Sequence, residues 1–124
     1  MSVKERNPQQ QARQDSLAKQ IHQLVWAATT THQNNVKHDL KNALEHIDGF
    51  VFDGDVEDLQ AASAFLASAM TVNTDITLSV TLAKAWVALH SKVKAERLAF
   101  FEDIELLSES LSAGNHVKET PSRT

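Results

Sequence analysis

The chain has 124 residues, a formal net charge of −4, a hydrophobic fraction of 42% and no cysteine. This length and apolar content predict one folded domain with a buried core rather than a disordered chain. The net negative charge gives no long-range attraction to nucleic acid or anionic lipid, so such binding would need a local basic patch. The lack of cysteine excludes disulfides, thiolate metal sites and a cysteine nucleophile.

The hydropathy pattern indicates neither a targeting segment nor a membrane helix. The first twenty residues contain no apolar run that could form the core of a signal peptide. A membrane helix needs about eighteen consecutive apolar residues, and the sequence contains no apolar run of that length. We therefore expect a cytoplasmic protein without a membrane partner.

The first predicted element is a helix over residues 8–29. Asn7 suits the N-cap, Pro8 the first helical position, and Gln10 can complete a capping box. Apolar residues at steps of three and four predict one buried face: Leu17, Ile21, Leu24 and Ala28. We expect a break near residues 30–34, because an unbroken helix through the following stretch would be far longer than usual.

The second predicted helix covers residues 35–48. Gly49 is expected to end it in a left-handed cap. Residues 50–52 are then an apolar connector, and Asp53 with Gly54 predicts a turn.

The third predicted helix covers residues 56–71, with Asp55 as its N-cap. Its body is apolar or small on nearly every side, which is typical of a helix that is surrounded. We therefore place it in the middle of the bundle or of an oligomer.

The last predicted helix covers residues 75–113 and begins after a cap at Asn73 or Thr74. Its apolar residues alternate steps of four and three, with Arg97 in the one gap. The members of this stripe are Leu82, Trp86, Leu89, Val93, Phe100, Ile104, Leu107 and Leu111. We expect a helical domain at residues 7–113, between flexible tails at 1–6 and 114–124.

Charges suggest how the first and last helices pack. Glu105 and Glu109 lie near the negative end of the last helix dipole, where acids are unfavourable by about 0.3–1 kcal/mol each. The N-terminal segment carries the cations that could offset them: Lys4, Arg6, Arg13 and Lys19. The sequence thus predicts an all-α bundle of four to five helices, with long first and last helices packed antiparallel.

Residue patterns for catalysis or metal binding are weak. The six histidines do not form a His-x-x-x-His pair, which helical metal sites use. Carboxylate pairs at helical spacing occur, but the pair at Asp55 and Asp58 has a helix-capping role. We therefore expect no enzyme, no metal and no cofactor.

The apolar helix surface exceeds what one short bundle obviously buries. This excess predicts a non-enzymatic assembly protein that pairs with itself, as a homodimer, or with another protein, as adaptor or subunit of a larger complex. Trp26 lies about 160° around its helix from Leu24, so it needs a second apolar contact or stays exposed. The candidate interface residues are Trp26, His22, Arg97, Phe50 and Phe52.

Two alternatives remain from the charge pattern. One is a helical small subunit that contacts nucleic acid in a ribonucleoprotein or regulatory complex, through Lys84, Lys92, Lys94, Arg97, Arg13 and Lys19. Four of these cations are spread around the circumference of the last helix rather than along one face: Lys84, Lys92, Lys94 and Arg97. The other is an acidic inhibitor that mimics nucleic acid with residues 45–75, where seven acids occur without lysine or arginine.

Overall fold

A computed structural model describes the backbone of residues 6–123 and the side chains of residues 6–111. Over that part of the chain there are five helices and no strand, which confirms the all-α bundle. The helices are α1 (Pro8–Ser16), α2 (Ala18–Thr30), α3 (Asn34–Asp53), α4 (Val56–Val72) and α5 (Ile76–Arg123). None of the described helices combines the length and the apolar character that a membrane crossing requires.

The chain divides into two compact units, Met1–Val93 and Lys94–Thr124. Helices α1 to α4 and the first part of α5 belong to the first unit, and the remainder of α5 belongs to the second. Helix α5 ends at Arg123, beyond the end predicted near residue 113. The predicted tails lie outside the described side chains, except for Arg6, which pairs with Asp48 at 3.1 Å.

The first predicted helix is divided in two at Leu17. The Leu17 amide donates to the Gln14 carbonyl oxygen at 3.1 Å, whereas an α-helix would use the Arg13 carbonyl. That carbonyl instead accepts from Ser16 Oγ at 2.8 Å. A serine hydroxyl that takes a backbone acceptor bends a helix, and this competition explains the break.

The end of α3 corrects the prediction at Gly49. Gly49 lies inside α3, and the left-handed cap is Gly54, with φ 74°. The Gly54 amide closes the last turn by donating to the Phe50 carbonyl at 2.7 Å. Phe50 and Val51 are buried in the core, so they form the last turns of a helix rather than a connector. Both glycines could have adopted the cap conformation, and burial of the residues between them selects the second.

One contiguous hydrophobic core occupies the first unit. Leu17 and residues of α2, α3, α4 and the first part of α5 form it, whereas α1 contributes no buried residue. The largest fully buried side chains come from the remaining segments: Leu17, Leu24, Val36, Leu40, Ile47, Phe50, Val51, Leu59, Leu66, Leu78, Leu82 and Leu89. One side of α3, with Val36, Leu40, Ala43 and Ile47, therefore faces the core.

Helix α4 has a buried side and an exposed side, so it is less surrounded than its composition predicts. Leu59, Ala62, Ser63, Leu66 and Ala69 form the buried side. Small side chains on that side allow close helix packing. Asp55 caps the helix as predicted, with its carboxylate accepting from the Glu57 amide at 2.9 Å.

A polar clasp joins the loop before α3 to the loop before α5. Gln33 Nε2 donates to Asn73 Oδ1 at 2.8 Å, and Gln33 Oε1 accepts from the Thr74 amide at 2.9 Å. The side chain that caps the start of α5 is that of Asp75, which accepts from the Thr77 amide at 2.9 Å. The predicted caps, Asn73 and Thr74, are thus occupied in the clasp.

Two of the N-terminal cations, Arg6 and Arg13, bind the end of α3. Arg6 forms its ion pair with Asp48, and Arg13 donates to the carbonyl oxygens of Val51 and Phe52 at 3.0 and 3.1 Å. Helix C-terminal carbonyls lack intrahelical partners, so they attract a nearby guanidinium.

Candidate interaction surface

The second unit carries a helix face of exposed apolar side chains. Over residues 94–111, apolar residues at steps of three and four are all more than two-fifths exposed: Phe100, Ile104, Leu107 and Leu111. Leu98, Phe101 and Leu106 are also exposed on other sides of the same segment. We refer to Arg97, Phe100, Ile104, Leu107 and Leu111 as the C-terminal stripe.

The residues of the α5 stripe at Leu82, Leu89 and Val93 are buried in the first unit, whereas those of the C-terminal stripe are exposed in the second. Leu89 is 0% exposed, whereas Leu107 is 62% exposed. Exposing a leucine rather than burying it forgoes about 1.5–3 kcal/mol of hydrophobic free energy. A contiguous set of such residues is typical of a surface that another chain covers.

Four of the five predicted interface residues lie at the surface. Trp26 is 42% exposed, Phe52 is 66% exposed, and His22 and Arg97 are exposed as well. Phe50 is 1% exposed and belongs to the core, so its assignment as an interface anchor is wrong. It faces inward because α3 continues past Gly49, which turns residue 50 onto the buried side of the helix.

The cations proposed for nucleic-acid contact have different environments. Lys19, Lys84, Lys94 and Arg97 are exposed, and Lys92 is half-buried. The guanidinium of Arg13 is already engaged at the end of α3 by its two hydrogen bonds. That engagement removes one member from the proposed set.

A groove between α2 and α3 forms a second candidate surface. It has a volume of about 540 Å³ and is lined by Val25, Ala28, Thr29, Lys37, Lys41 and Leu44. Its lining is mostly apolar, with the two lysines separated by one helical turn on α3. The Lys-x-x-x-Lys spacing is visible in the sequence, but its apolar neighbours come from another helix.

Three carboxylates lie close together at the start of α4. Oxygen atoms of Asp53, Asp55 and Asp58 lie within 4.8 Å of one another, a spacing that could hold a cation. Each carboxylate also has a protein partner. Asp53 accepts from the Asp55 amide at 2.9 Å, Asp55 caps the helix, and Asp58 Oδ1 lies 3.0 Å from His46 Nδ1. These contacts explain the cluster as part of the turn and the helix packing.

The ring of His46 contacts α4 in two ways. Its Nδ1 atom faces Asp58, and the ring stacks on Phe65 with a centroid distance of 5.5 Å. Another ring pair, Trp86 and His90, stacks at 4.8 Å along α5. Both histidines therefore have packing partners. Their described contacts do not include a pair of a nucleophile and a base.

Comparison with known proteins identifies no family for this chain. The chain matches no family model, and neither the curated proteins nor the solved structures compared with it are similar. Functional inference therefore rests on the geometry of this chain.

Proposed function

We propose that this protein is a non-enzymatic helical assembly protein of the cytoplasm that associates with itself, as a subunit or adaptor of a larger complex. The observation that supports the proposal is the exposed C-terminal stripe. Its apolar members repeat at the spacing with which one helix packs against another.

The stripe has the composition of an association surface. Two of its members, Phe100 and Arg97, are of residue types that are enriched at protein interfaces. The other three members of the stripe are aliphatic, and acidic residues flank it at Asp103 and Glu105. An apolar centre with a polar rim is the usual arrangement of such surfaces.

Light scattering coupled to size-exclusion chromatography over a wide range of concentrations tests the proposal. We expect the mass to rise from that of one chain towards that of two or more as concentration increases. A mass of one chain at every concentration would contradict self-association. Retention on heparin that falls with salt would instead favour the nucleic-acid alternative.

A pair of double variants locates the association surface. Ile104→Gln with Leu107→Gln replaces two stripe residues, and glutamine is a good helix former, so helicity should be retained. Val80→Gln with Val87→Gln is the matched control, because both valines are exposed on the part of α5 in the first unit. We expect the first pair to keep the chain monomeric and the control to associate like the parent. Equal association of both variants would exclude the stripe.

A further inference from the structure

The charges along the C-terminal stripe are arranged asymmetrically. Lys94 and Arg97 lie at the start of the exposed segment, with the half-buried Glu96 between them, so the charge there is net positive. The acids follow towards its end: Glu102, Asp103, Glu105 and Glu109. Each of these four acidic side chains is exposed. A second copy of the same segment is thus complementary in charge when it runs in the opposite direction.

We infer that two copies of the protein pair through residues 94–111 as antiparallel helices related by a two-fold axis. This inference rests on the proposed self-association and specifies its geometry. A two-fold interface uses the same patch on both copies, so each favourable contact occurs twice.

A parallel pair is disfavoured by the same residues. In parallel alignment each Arg97 would face the Arg97 of the other copy within the seam between the helices, and the acidic ends would lie side by side. Like charges placed face to face across an interface oppose association. Antiparallel alignment separates the two arginines and brings each towards the acidic end of the other copy.

The spacing of the stripe sets the register. Interleaving steps of three and four in antiparallel helices place Phe100 of one copy opposite Ile104 of the other, and Arg97 opposite Leu107. The two-fold axis then passes close to residue 102.

The flanking charges follow from this register. Lys94 and Glu105 lie about 20° apart around the helix, on the same flank of the stripe. In an antiparallel pair equal flanks meet, so Lys94, which lies level with residue 110 of the other copy, faces Ser108 on the matching flank, and Glu105 lies one turn beyond Ser108. Asp103 lies on the opposite flank and near the two-fold axis, so it faces Asp103 of the other copy.

This last contact gives the pairing a distinctive signature. Two aspartates near the axis repel each other, so Asp103→Asn should tighten the dimer by a few-fold. In a parallel pair the same positions lie on opposite sides of the seam and the substitution would have little effect.

Charge reversal tests the predicted contact between flanks. Lys94→Glu should raise the dissociation constant of the dimer about tenfold, since two contacts are lost together. Adding Glu105→Lys to that variant should restore the parent affinity. A double variant that associates no better than Lys94→Glu alone would contradict the register.

Cysteine cross-linking decides the orientation, because the chain has no cysteine of its own. We expect an equimolar mixture of Lys94→Cys and Ser108→Cys to form a mixed disulfide dimer under mild oxidation, and each variant alone to form little. A dimer in light scattering without the mixed disulfide would overturn the antiparallel geometry while leaving self-association intact. A chain that stays monomeric at every concentration would overturn both.

Discussion

The Arg13 guanidinium donates from Nε to the carbonyl oxygen of Val51 at 3.0 Å, and the two residues are 38 positions apart in the chain. Its Nη2 atom donates to the Phe52 carbonyl at 3.1 Å, and Gln10 donates to the same carbonyl at 3.0 Å. The last carbonyls of a helix have no partner within it, and a cation near them offsets the negative end of the dipole. A residue of α1 therefore completes the end of α3.

Replacing Arg13 by alanine should destabilise the first unit. The variant loses two charge-assisted hydrogen bonds, which we expect to cost about 1–2 kcal/mol. For a unit of this size such a loss lowers the melting temperature by about 4–16 °C. Lys19→Ala is the matched control, because it removes the same charge from an exposed position on α2. Equal melting temperatures in circular dichroism for the two variants would contradict the capping role.

Replacing Gly49 by alanine should have an effect that depends on Asp58. A Cβ atom at Gly49 would lie 2.9 Å from Asp58 Oδ2, so the carboxylate must move and its contact with His46 is disturbed. Alanine is favoured over glycine inside a helix by about 1 kcal/mol. We expect that gain in full when Asp58 is also alanine, and a smaller gain or a loss in the parent. A double-mutant cycle measured by urea unfolding checks this, and equal effects in both backgrounds would exclude the steric contact.

Removing the Gln33 side chain should loosen the polar clasp between the two loops. Gln33→Ala removes one hydrogen bond to Asn73 Oδ1 and leaves the Thr74 amide without its partner, which we expect to cost about 1–2 kcal/mol of unfolding free energy. Gln9→Ala, at an exposed position on α1, serves as the control. The clasp would have no energetic role if both variants unfolded at the same urea concentration.

One substitution at two positions of α5 should separate stability from association. Leu89→Ala creates a cavity in the core and should cost about 2–5 kcal/mol. Leu107→Ala should leave the thermal unfolding of the dilute protein nearly unchanged, because that side chain is 62% exposed, yet weaken self-association. Melting curves at low concentration and light scattering at high concentration measure the two effects. The assignment of Leu107 to the association surface fails if its removal leaves the mass distribution unaltered.

Local signals predicted much of the fold. The capping box at the start of α1 has both of its hydrogen bonds, between Asn7 and Gln10 at 2.8 and 3.0 Å. The break expected near residues 30–34 lies between Thr30 and Asn34. These features depend on residues that are close in sequence, so the sequence contains the information for them.

The sequence-based predictions fail where residues far apart in the chain determine the local structure. Gly49 and Gly54 are both suited to a helix end, and the choice depends on Arg13 and on the burial of Phe50. The stripe from Phe100 to Leu111 has the same spacing as the buried stripe before it, so periodicity alone cannot tell an internal helix partner from an external one. For the candidate surface, the sequence therefore predicted the residue pattern but not its exposure.

Helix α1 has no buried residue and is tied to α3 by polar contacts from Arg6, Gln10 and Arg13. Solvated contacts of this kind expose little new surface when they break, so α1 can detach in a local opening that leaves the core intact. Its amide protons should then exchange with deuterium at rates nearly independent of dilute urea, while those in the middle of α3 require global unfolding. Salt screens the ion pair between Arg6 and Asp48, so it should raise the exchange rates of the α1 amides. The exchange rates in the middle of α3 should stay unchanged.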